Sequence, residues 1–197
     1  MRLVIVGSGR CVWDDLEQLH TFRKKETTDD VMCINDMIMH YPDKIDHVFS
    51  CDGYMLKHWW NARRPPYKQQ FQKVPQFHTV DNNQNVPENY KLWEFAGGGT
   101  SGLAACFVGL GLGYDEIILC GIPIDNSGHY WEAHWGKTNF QREIANAHGQ
   151  IRGDGRRFWV NAKEKFDGRV KSMSGYTKKL LGSPYAGSSE ELRSEEA

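Results

Sequence analysis

Apolar residues gather in short runs along the chain, and each run ends at a glycine or a polar residue. The clearest runs cover residues 3–6, 31–34, 47–50 and 116–120. Strands that are buried on both faces of a parallel sheet read as continuous apolar runs rather than as an alternation. The pattern therefore predicts four buried parallel strands.

Two segments beside these strands have the character of helices. A helix over residues 12–22 is predicted by apolar side chains at near-helical intervals, namely Val12, Leu16, Leu19 and Phe22. Residues 103–112 are small and apolar, which predicts a helix that packs closely on a sheet, with Gly113 as its C-terminal cap.

The remaining segments carry weaker signals. Residues 54–93 are rich in aromatics, Pro, Gln and Asn, which predicts irregular structure with short strands such as 76–80. Residues 130–150 are expected to form a helix over the site, 156–166 a further helix and 169–173 a last strand. The alternation of strands and helices predicts an α/β fold: a Rossmann-like, doubly wound, mostly parallel sheet with helices on both faces.

Composition narrows the class of protein. The 197 residues favour one domain, placed at 1–181, followed by a Ser-, Gly- and Glu-rich tail over 182–197 that we expect to be disordered. A net charge of -1 predicts no nucleic-acid partner. Five cysteines without a C-x-x-C pair favour free thiols in a reducing compartment. With neither a signal peptide nor a membrane-spanning stretch in the sequence, a cytoplasmic protein is expected.

A glycine-rich turn, Gly7-Ser8-Gly9, joins the first strand to the first helix. Backbone N–H groups and the helix dipole favour a phosphate at such a point, with Arg10 beside it. A tight turn without a ligand explains the same residues equally well. The turn lacks the third glycine of G-x-G-x-x-G and the Gly-Lys-Ser/Thr of a Walker A loop.

Further polar residues follow other predicted strands or open a helix. Asn35, Asp36 and Asp52 lie at the carboxyl ends of strands, where open α/β sheets bind ligands. Before the second helix, at the end of a run of glycines, stand four candidates for contact with a phosphate or a base edge: Gly99, Thr100, Ser101 and Gly102. Turn residues and a helix N-cap are the alternative interpretations.

Two other groups of residues have structural explanations that we favour. Asp125, His129, Glu132 and His134 form a compact cluster, but loop spacing of this kind does not diagnose a metal, so no metal site is predicted. Residues 57–73 interleave basic and aromatic side chains. An amphipathic, solvated face over the sheet is favoured there over a contact with an acceptor or with a second copy of the chain.

The stretches 100–106 and 112–122 resemble a motif of the bacterial sialyltransferases of glycosyltransferase family 42. Residues 4–10 are similar to the opening strand and turn of that family, Asn35 falls at one of its asparagines, and 170–175 resembles its closing strand. Order and approximate spacing cover most of residues 1–175.

The resemblance implies a Rossmann-like fold that binds a cytidine nucleotide, with a CMP-sugar donor, no metal and no tightly bound cofactor. It places Tyr130 on the leaving phosphate, with Arg10 in support. A histidine would deprotonate the acceptor hydroxyl: His148 by position, with His134 and His129 as alternatives. The same broad group contains pterin pyrophosphokinases and motility accessory factors. Two alternatives of function therefore remain: a Mg²⁺-dependent transferase that uses Asp36, Asp52 or Asp125, and a nucleotide-binding protein without catalysis. A homo-oligomer is an alternative to a monomer.

Overall fold

A computed structural model of the chain contains one sheet in which every pairing is parallel. It describes residues 1–22, 29–63, 74–81, 90–94, 100–125, 127–131 and 155–185. Within these ranges the sheet has seven strands: β1 (Arg2–Val6), β2 (Asp30–Ile34), β3 (His47–Ser50), β4 (Gln76–Thr79), β5 (Tyr90–Leu92), β6 (Glu116–Cys120) and β7 (Val170–Ser172).

The strand order is β5-β4-β3-β2-β1-β6-β7, so the direction of winding reverses between β1 and β6. β1 is central: Val4 is paired with Val31 of β2 on one side and with Ile118 of β6 on the other. After β1 the chain enters the helix at Val12–Phe22 on one face of the sheet, whereas the helix at 155–162, the described helix that follows β6, packs on the other face. A crevice therefore forms at the carboxyl ends of these two strands.

Helices cover both faces of the sheet. The described helices are α1 (Val12–Phe22), α2 (Met37–His40), α3 (Gly53–Ala62), α4 (Ser101–Gly111), α5 (155–162) and α6 (Gly175–Leu181), with a 3₁₀ turn at Lys163–Phe166. Alternate residues of β1 point to opposite faces. Leu3 and Ile5 pack with α4 and with Trp159 of α5, whereas Val4 and Val6 pack under α1 and α2. Both faces are buried, which explains why β1 is apolar from residue 3 to residue 6.

A chain of hydrogen bonds lies away from the crevice, along strands β2 to β5. The indole N–H of Trp93 donates to Nδ1 of His78 at 3.1 Å, and Nε2 of His78 lies 3.0 Å from Nδ1 of His47. Nε2 of His47 lies 2.9 Å from the hydroxyl of Tyr114, which donates to Asp30 at 2.6 Å. Because an indole nitrogen can only donate, Nδ1 of His78 is the acceptor and its proton sits on Nε2. It follows that Nε2 of His78 donates to Nδ1 of His47, and that Nε2 of His47 donates to the Tyr114 hydroxyl.

The sequence-based predictions of fold class, of the central strands and of the helices near 12–22 and 103–112 are confirmed, whereas the beginning of the 54–93 stretch, predicted to be irregular, forms the helix α3. The strands predicted at 47–50 and 116–120 and the helix predicted at 12–22 have the same bounds as β3, β6 and α1. Gly113 has φ +90°, as a C-terminal cap requires. β5 was not predicted, because it is three residues long and has no buried residue.

The five cysteines are free, and Cys33, Cys106 and Cys120 are buried. No helix in the described ranges has the length and apolar character that crossing a bilayer requires. Beyond the predicted domain end at 181, the ring of Tyr185 packs at a tilt on the ring of Phe22, with the ring centroids 4.3 Å apart. The predicted tail from 186 onward and most of the helix predicted over 130–150 lie outside the described residues.

Candidate functional site

A cleft of about 450 Å³ lies at the carboxyl edge of the sheet, where β1 and β6 are neighbours. Its walls come from the loops after β1, β2, β3 and β6 and from the first turn of α4. Most of the residues predicted to bind a nucleotide line it, namely Gly7, Ser8, Gly9, Asn35, Asp52, Thr100, Ser101 and Gly102. The structure thus brings together residues that are almost 100 positions apart.

The glycines of the first turn join it to the turn after β6. The amide of Gly7 donates to the carbonyl of Cys120 at 2.9 Å, and the amide of Gly9 donates to that of Gly121 at 2.8 Å. A β-carbon on Gly9 would lie 2.6 Å from Cδ of Pro123, and one on Gly121 would lie 2.3 Å from the carbonyl oxygen of Gly7. The amides of Gly7 and Gly9 thus already have backbone acceptors, and the prediction that this turn holds a phosphate stays a prediction.

The opposite wall is the beginning of α4. The hydroxyl oxygen of Thr100 accepts from the amide of Leu103 and from the indole of Trp159, both at 3.3 Å, so Thr100 acts as the N-cap. Ser101 hydrogen-bonds the thiol of Cys51, whose pKa is raised by burial. The first amides of a helix have no partner within the helix. The Ser101 hydroxyl and these amides are the donors that this wall offers to a ligand.

Asn35 and Asp52 are positioned by one buried serine. The hydroxyl of Ser50 donates to Oδ1 of Asn35 at 2.8 Å and accepts from the amide of Asp52 at 2.9 Å. Asn35 has φ +52°, a left-handed conformation that Asn tolerates. With Oδ1 held by Ser50, the side chain of Asn35 presents its amide nitrogen as a donor, and Asp52 adds an exposed carboxylate.

Ser8 meets His129 across the cleft floor. Its hydroxyl lies 2.8 Å from Nδ1 of the imidazole. The imidazole stacks on Trp131 with ring centroids 5.1 Å apart and planes 12° apart. The indole of Trp131 donates to Asp36 at 2.7 Å. His129 entered the sequence analysis only as an alternative base and a weak metal ligand. Its pairing with Ser8 was foreseeable only from the adjacency of β1 and β6.

The lip of the cleft contains a strained residue. Ile124 has φ +49°, which is unfavourable for a β-branched side chain and costs about 1–3 kcal/mol. Its carbonyl accepts from Arg156 at 3.3 Å, and the carbonyl of Pro123 accepts from the amide of Tyr176 at 2.8 Å. These contacts hold the backbone in a conformation that places Asp125 in the wall of the cleft.

Three residues predicted to act on the ligand are not among those that line the cleft. Arg10 is exposed, and the side chain of Asp36 binds the indole described above. The ring of Tyr130 is partly buried against the core, where its centroid lies 5.5 Å from that of Trp13 and 5.6 Å from that of His40. Tyr130 supports the cleft from behind, and its predicted role on a phosphate stays a prediction.

Several other candidates lie outside the described residues: Gly99, Glu132, His134 and His148. Within the described part of the chain, no group of three or more His, Cys, Asp or Glu side chains is arranged to hold a metal ion.

The described lining of the cleft is acidic. Asp52 and Asp125 contribute carboxylates, His129 is the one basic side chain, and neither Lys nor Arg occurs among the lining residues that the structure describes. A bound anion would therefore depend on neutral donors, on His129, or on residues outside the described ranges.

A buried carboxyl braces the turn after β6. Oδ2 of Asp15 accepts from the amide of Gly121 and from the hydroxyl of Ser174, both at 2.8 Å. The thiol of Cys11 lies 2.9 Å from the same hydroxyl. Burial raises the pKa of Asp15, and it raises the pKa of Cys11 to about 12. Because Cys11 stays a thiol at neutral pH, this cluster is structural support and not a nucleophile.

Comparison with known proteins identifies structural neighbours but no sequence relatives. No protein-family model matches the chain, and the search of curated proteins gives no match. A variant of the sialyltransferase CST-II in complex with CMP superposes with a TM-score of 0.61 at 14% identity, covering 93% of this chain and 86% of that one.

A second neighbour is CstII from Campylobacter jejuni in complex with the substrate analogue CMP-3FNeuAc. It has a TM-score of 0.50 at 13% identity and covers 92% of this chain and 87% of that one. These neighbours give no support to a relationship with pterin pyrophosphokinases or motility accessory factors. The chain therefore shares the Rossmann-like α/β fold of sialyltransferase CstII, over most of both chains and at low sequence identity.

Proposed function

We propose that this chain is a glycosyltransferase-like enzyme that binds a nucleotide-activated sugar, a CMP-sugar, in the cleft between β1 and β6. The observation that carries the proposal is the convergence of Ser8, Asn35, Asp52 and Ser101 on one crevice. The structural neighbours with this fold are sialyltransferases complexed with CMP or a CMP-sugar analogue.

Each polar group suits one part of such a donor. The amide nitrogen of Asn35 and the hydroxyl of Ser101 suit the acceptor atoms of a pyrimidine edge. The carboxylate of Asp52 suits the two ribose hydroxyls, as acidic residues do in other doubly wound folds. Ser8 and His129 are then the groups nearest to the phosphate. The donor would span the cleft from the α4 wall to the floor.

Transfer of the sugar breaks the bond between its anomeric carbon and a phosphate oxygen. Negative charge then develops on the leaving nucleotide, and donors fixed at that position lower the barrier. Deprotonation of the acceptor hydroxyl requires a base with a pKa near the working pH, for which histidine is suited. His148 remains our candidate, with His134 as the alternative, and we propose that the reaction needs no metal.

A second candidate rests on the acidity of the cleft. Asp52 and Asp125 line it together, and carboxylates are the ligands that Mg²⁺ prefers. A Mg²⁺-dependent phosphoryl or pyrophosphoryl transferase would use both.

Thermal-shift measurements with CMP, CDP, UDP, GDP and ATP, each with and without Mg²⁺, separate these readings. Stabilisation by CMP without Mg²⁺ supports the first proposal, whereas stabilisation by ATP only with Mg²⁺ supports the second. Binding without transfer to any acceptor would leave a nucleotide-binding protein without catalysis. No shift with any nucleotide would contradict all three.

Thiol alkylation locates the bound nucleotide. Cys51 lines the cleft, whereas Cys11 lies behind it, and both are partly exposed. Because burial raises the pKa of both thiols, the alkylation is run at alkaline pH with long exposure; CMP should slow the modification of Cys51 and leave the rate at Cys11 unchanged, as measured by peptide mass spectrometry. Equal protection of both thiols would point to general stabilisation instead. For the transfer step, His148→Ala should abolish product formation and spare CMP binding, whereas loss of transfer in His134→Ala instead would assign the base to His134.

A further inference from the structure

A buried hydroxyl determines how the side-chain amide of Asn35 is oriented. Ser50, the last residue of β3, is completely buried. Its oxygen accepts from the backbone amide of Asp52 at 2.9 Å, so its own proton must go to another acceptor. A buried donor without a partner costs free energy. Oδ1 of Asn35, at 2.8 Å, is the acceptor that satisfies this proton.

The opposite orientation of the amide would leave the Ser50 proton without an acceptor. If the amide of Asn35 were turned over, its NH₂ group would face Ser50, and an NH₂ group can only donate. The Ser50 oxygen would then meet two donors, and among the described residues no other acceptor is in reach of its proton. The orientation with Oδ1 on Ser50 is therefore the one that satisfies the whole cluster.

Asn35 consequently offers the cleft a donor whose position is fixed. The backbone amide of Asn35 donates to the carbonyl of Phe49, and its carbonyl accepts from the amide of Ile38, both at 3.1 Å. Within the described part of the chain, Nδ2 has no protein acceptor, and the residue lines the cleft. The hydroxyl of Ser101, on the opposite wall, can either donate or accept. Of these two side chains, Asn35 is the one that can reject a ligand by its hydrogen-bonding sense.

A fixed donor of this kind distinguishes the two common pyrimidines. Cytosine has an acceptor at N3, whereas uracil has an N–H group at the same position. Next to Nδ2 of Asn35, cytosine gains a hydrogen bond, and uracil brings two donors together and leaves both without a partner. A site built to pair with one hydrogen-bonding group rejects an analogue that lacks this group far more strongly than an apolar pocket rejects a change of shape.

We propose that Ser50 is a positioning residue that holds the amide of Asn35 as a donor to N3 of the base, and thereby makes the cleft select cytosine nucleotides over uracil nucleotides. This inference rests on the proposed function, because it takes the base of the bound nucleotide to lie beside Asn35.

The test compares CMP with UMP, which share ribose and phosphate and differ only in the base. Calorimetry at neutral pH should give the wild type a Kd for CMP that is about tenfold or more below its Kd for UMP. Ser50→Ala frees the amide of Asn35 to turn, so the ratio should fall to near one, mainly through tighter binding of UMP. The substitution also removes the acceptor for the amide of Asp52, but this affects the two nucleotides alike. A merely structural defect would weaken both and keep their ratio.

Two further variants serve as controls. Ser50→Thr retains the hydroxyl and should keep the wild-type ratio. Threonine suits such a strand end, since Thr79, the residue paired with Ser50 on β4, accepts from the amide of Asp81 at 3.0 Å in the same way. Asn35→Asp replaces the fixed donor with an acceptor, so the preference should invert towards UMP, while the added charge repels the two phosphates equally. Circular dichroism verifies that each variant folds, and Asn35→Asp provides the test if Ser50→Ala does not.

Equal affinity of the wild type for CMP and UMP, or a preference for UMP, would overturn this inference and leave a nucleotide cleft standing. A preference for CMP that persists undiminished in folded Ser50→Ala, or in Asn35→Asp, would overturn it as well. A wild-type chain that binds neither nucleotide would remove the proposed function itself.

Discussion

Acidification should destabilise the fold through His78. This imidazole is completely buried in β4, where it accepts from Trp93 and donates to His47. Burial, reinforced by the nearby charges of His47 and Lys91, lowers the pKa of His78 to about 3. A proton added to His78 would meet the indole N–H of Trp93, so the neutral ring is the form that fits.

The size of the effect follows from linkage. The unfolded chain binds a proton at this histidine below about pH 6.5, whereas the folded chain does not until about pH 3. Stability is therefore present above pH 6.5 and is lost as the pH falls towards 3, by at most about 1.4 kcal/mol per pH unit. Between about pH 7.5 and pH 5 the loss from this one group amounts to roughly 2 kcal/mol.

Urea unfolding followed by tryptophan fluorescence measures this loss at each pH. Because carboxylates also titrate, the decisive quantity is the difference between the wild type and His78→Gln, whose amide can accept from Trp93 without titrating. That variant should lose about 2 kcal/mol less than the wild type over the same interval. His20→Gln, on the exposed face of α1, should keep the wild-type dependence. Parallel curves for the wild type and His78→Gln would refute the reasoning.

Three further outcomes are expected. Gly121→Ala should cost about 3 kcal/mol or more in unfolding free energy, because φ is +66° and the new β-carbon collides with backbone atoms. The control Gly113→Ala has φ +90° but open space around the new β-carbon, so it should cost only about 1 kcal/mol. Equal costs for the two variants would contradict the packing argument. Asp15→Asn should gain stability relative to the wild type as the pH rises from about 4, since burial raises the pKa of Asp15 and the folded carboxyl retains its proton longer; a constant difference across the pH range would disprove this. Trp159→Phe should cost about 1 kcal/mol by removing the indole donor to the N-cap of α4, a loss read from the melting temperature.

The fold could be read from local patterns because each pattern has one structural solution. The apolar run of β1 requires cover on both faces, and Val12–Phe22 has an apolar stripe that provides cover on one of them. β5 escaped prediction because its backbone pairs with β4 while Lys91 and Leu92 are exposed, and of its three residues only Tyr90 packs against the core. Such an edge strand leaves no hydrophobic signal.

The site could be read only in part. Polar residues at strand ends predicted Asn35 and Asp52 correctly as cleft residues, since carboxyl ends of parallel strands share an edge. The contact between Ser8 and His129 joins residues 121 positions apart, and no local sequence pattern predicts it. The aromatic Tyr130 could equally face the cleft or the core, and the choice depends on Trp13 and His40, which belong to other elements.

The interlock of Gly7, Gly9 and Gly121 has a consequence for how this cleft can diverge. Glycine is required at these three positions by contacts with neighbouring backbone and not by a ligand. We therefore expect the three glycines to be retained in descendants, whatever those proteins bind. Ser8 and Asn35 line the cleft with their side chains, and these side chains take no part in the interlock of the three glycines. A change in ligand specificity is therefore expected to come from substitutions between the glycines, whereas the glycines themselves indicate only a shared fold.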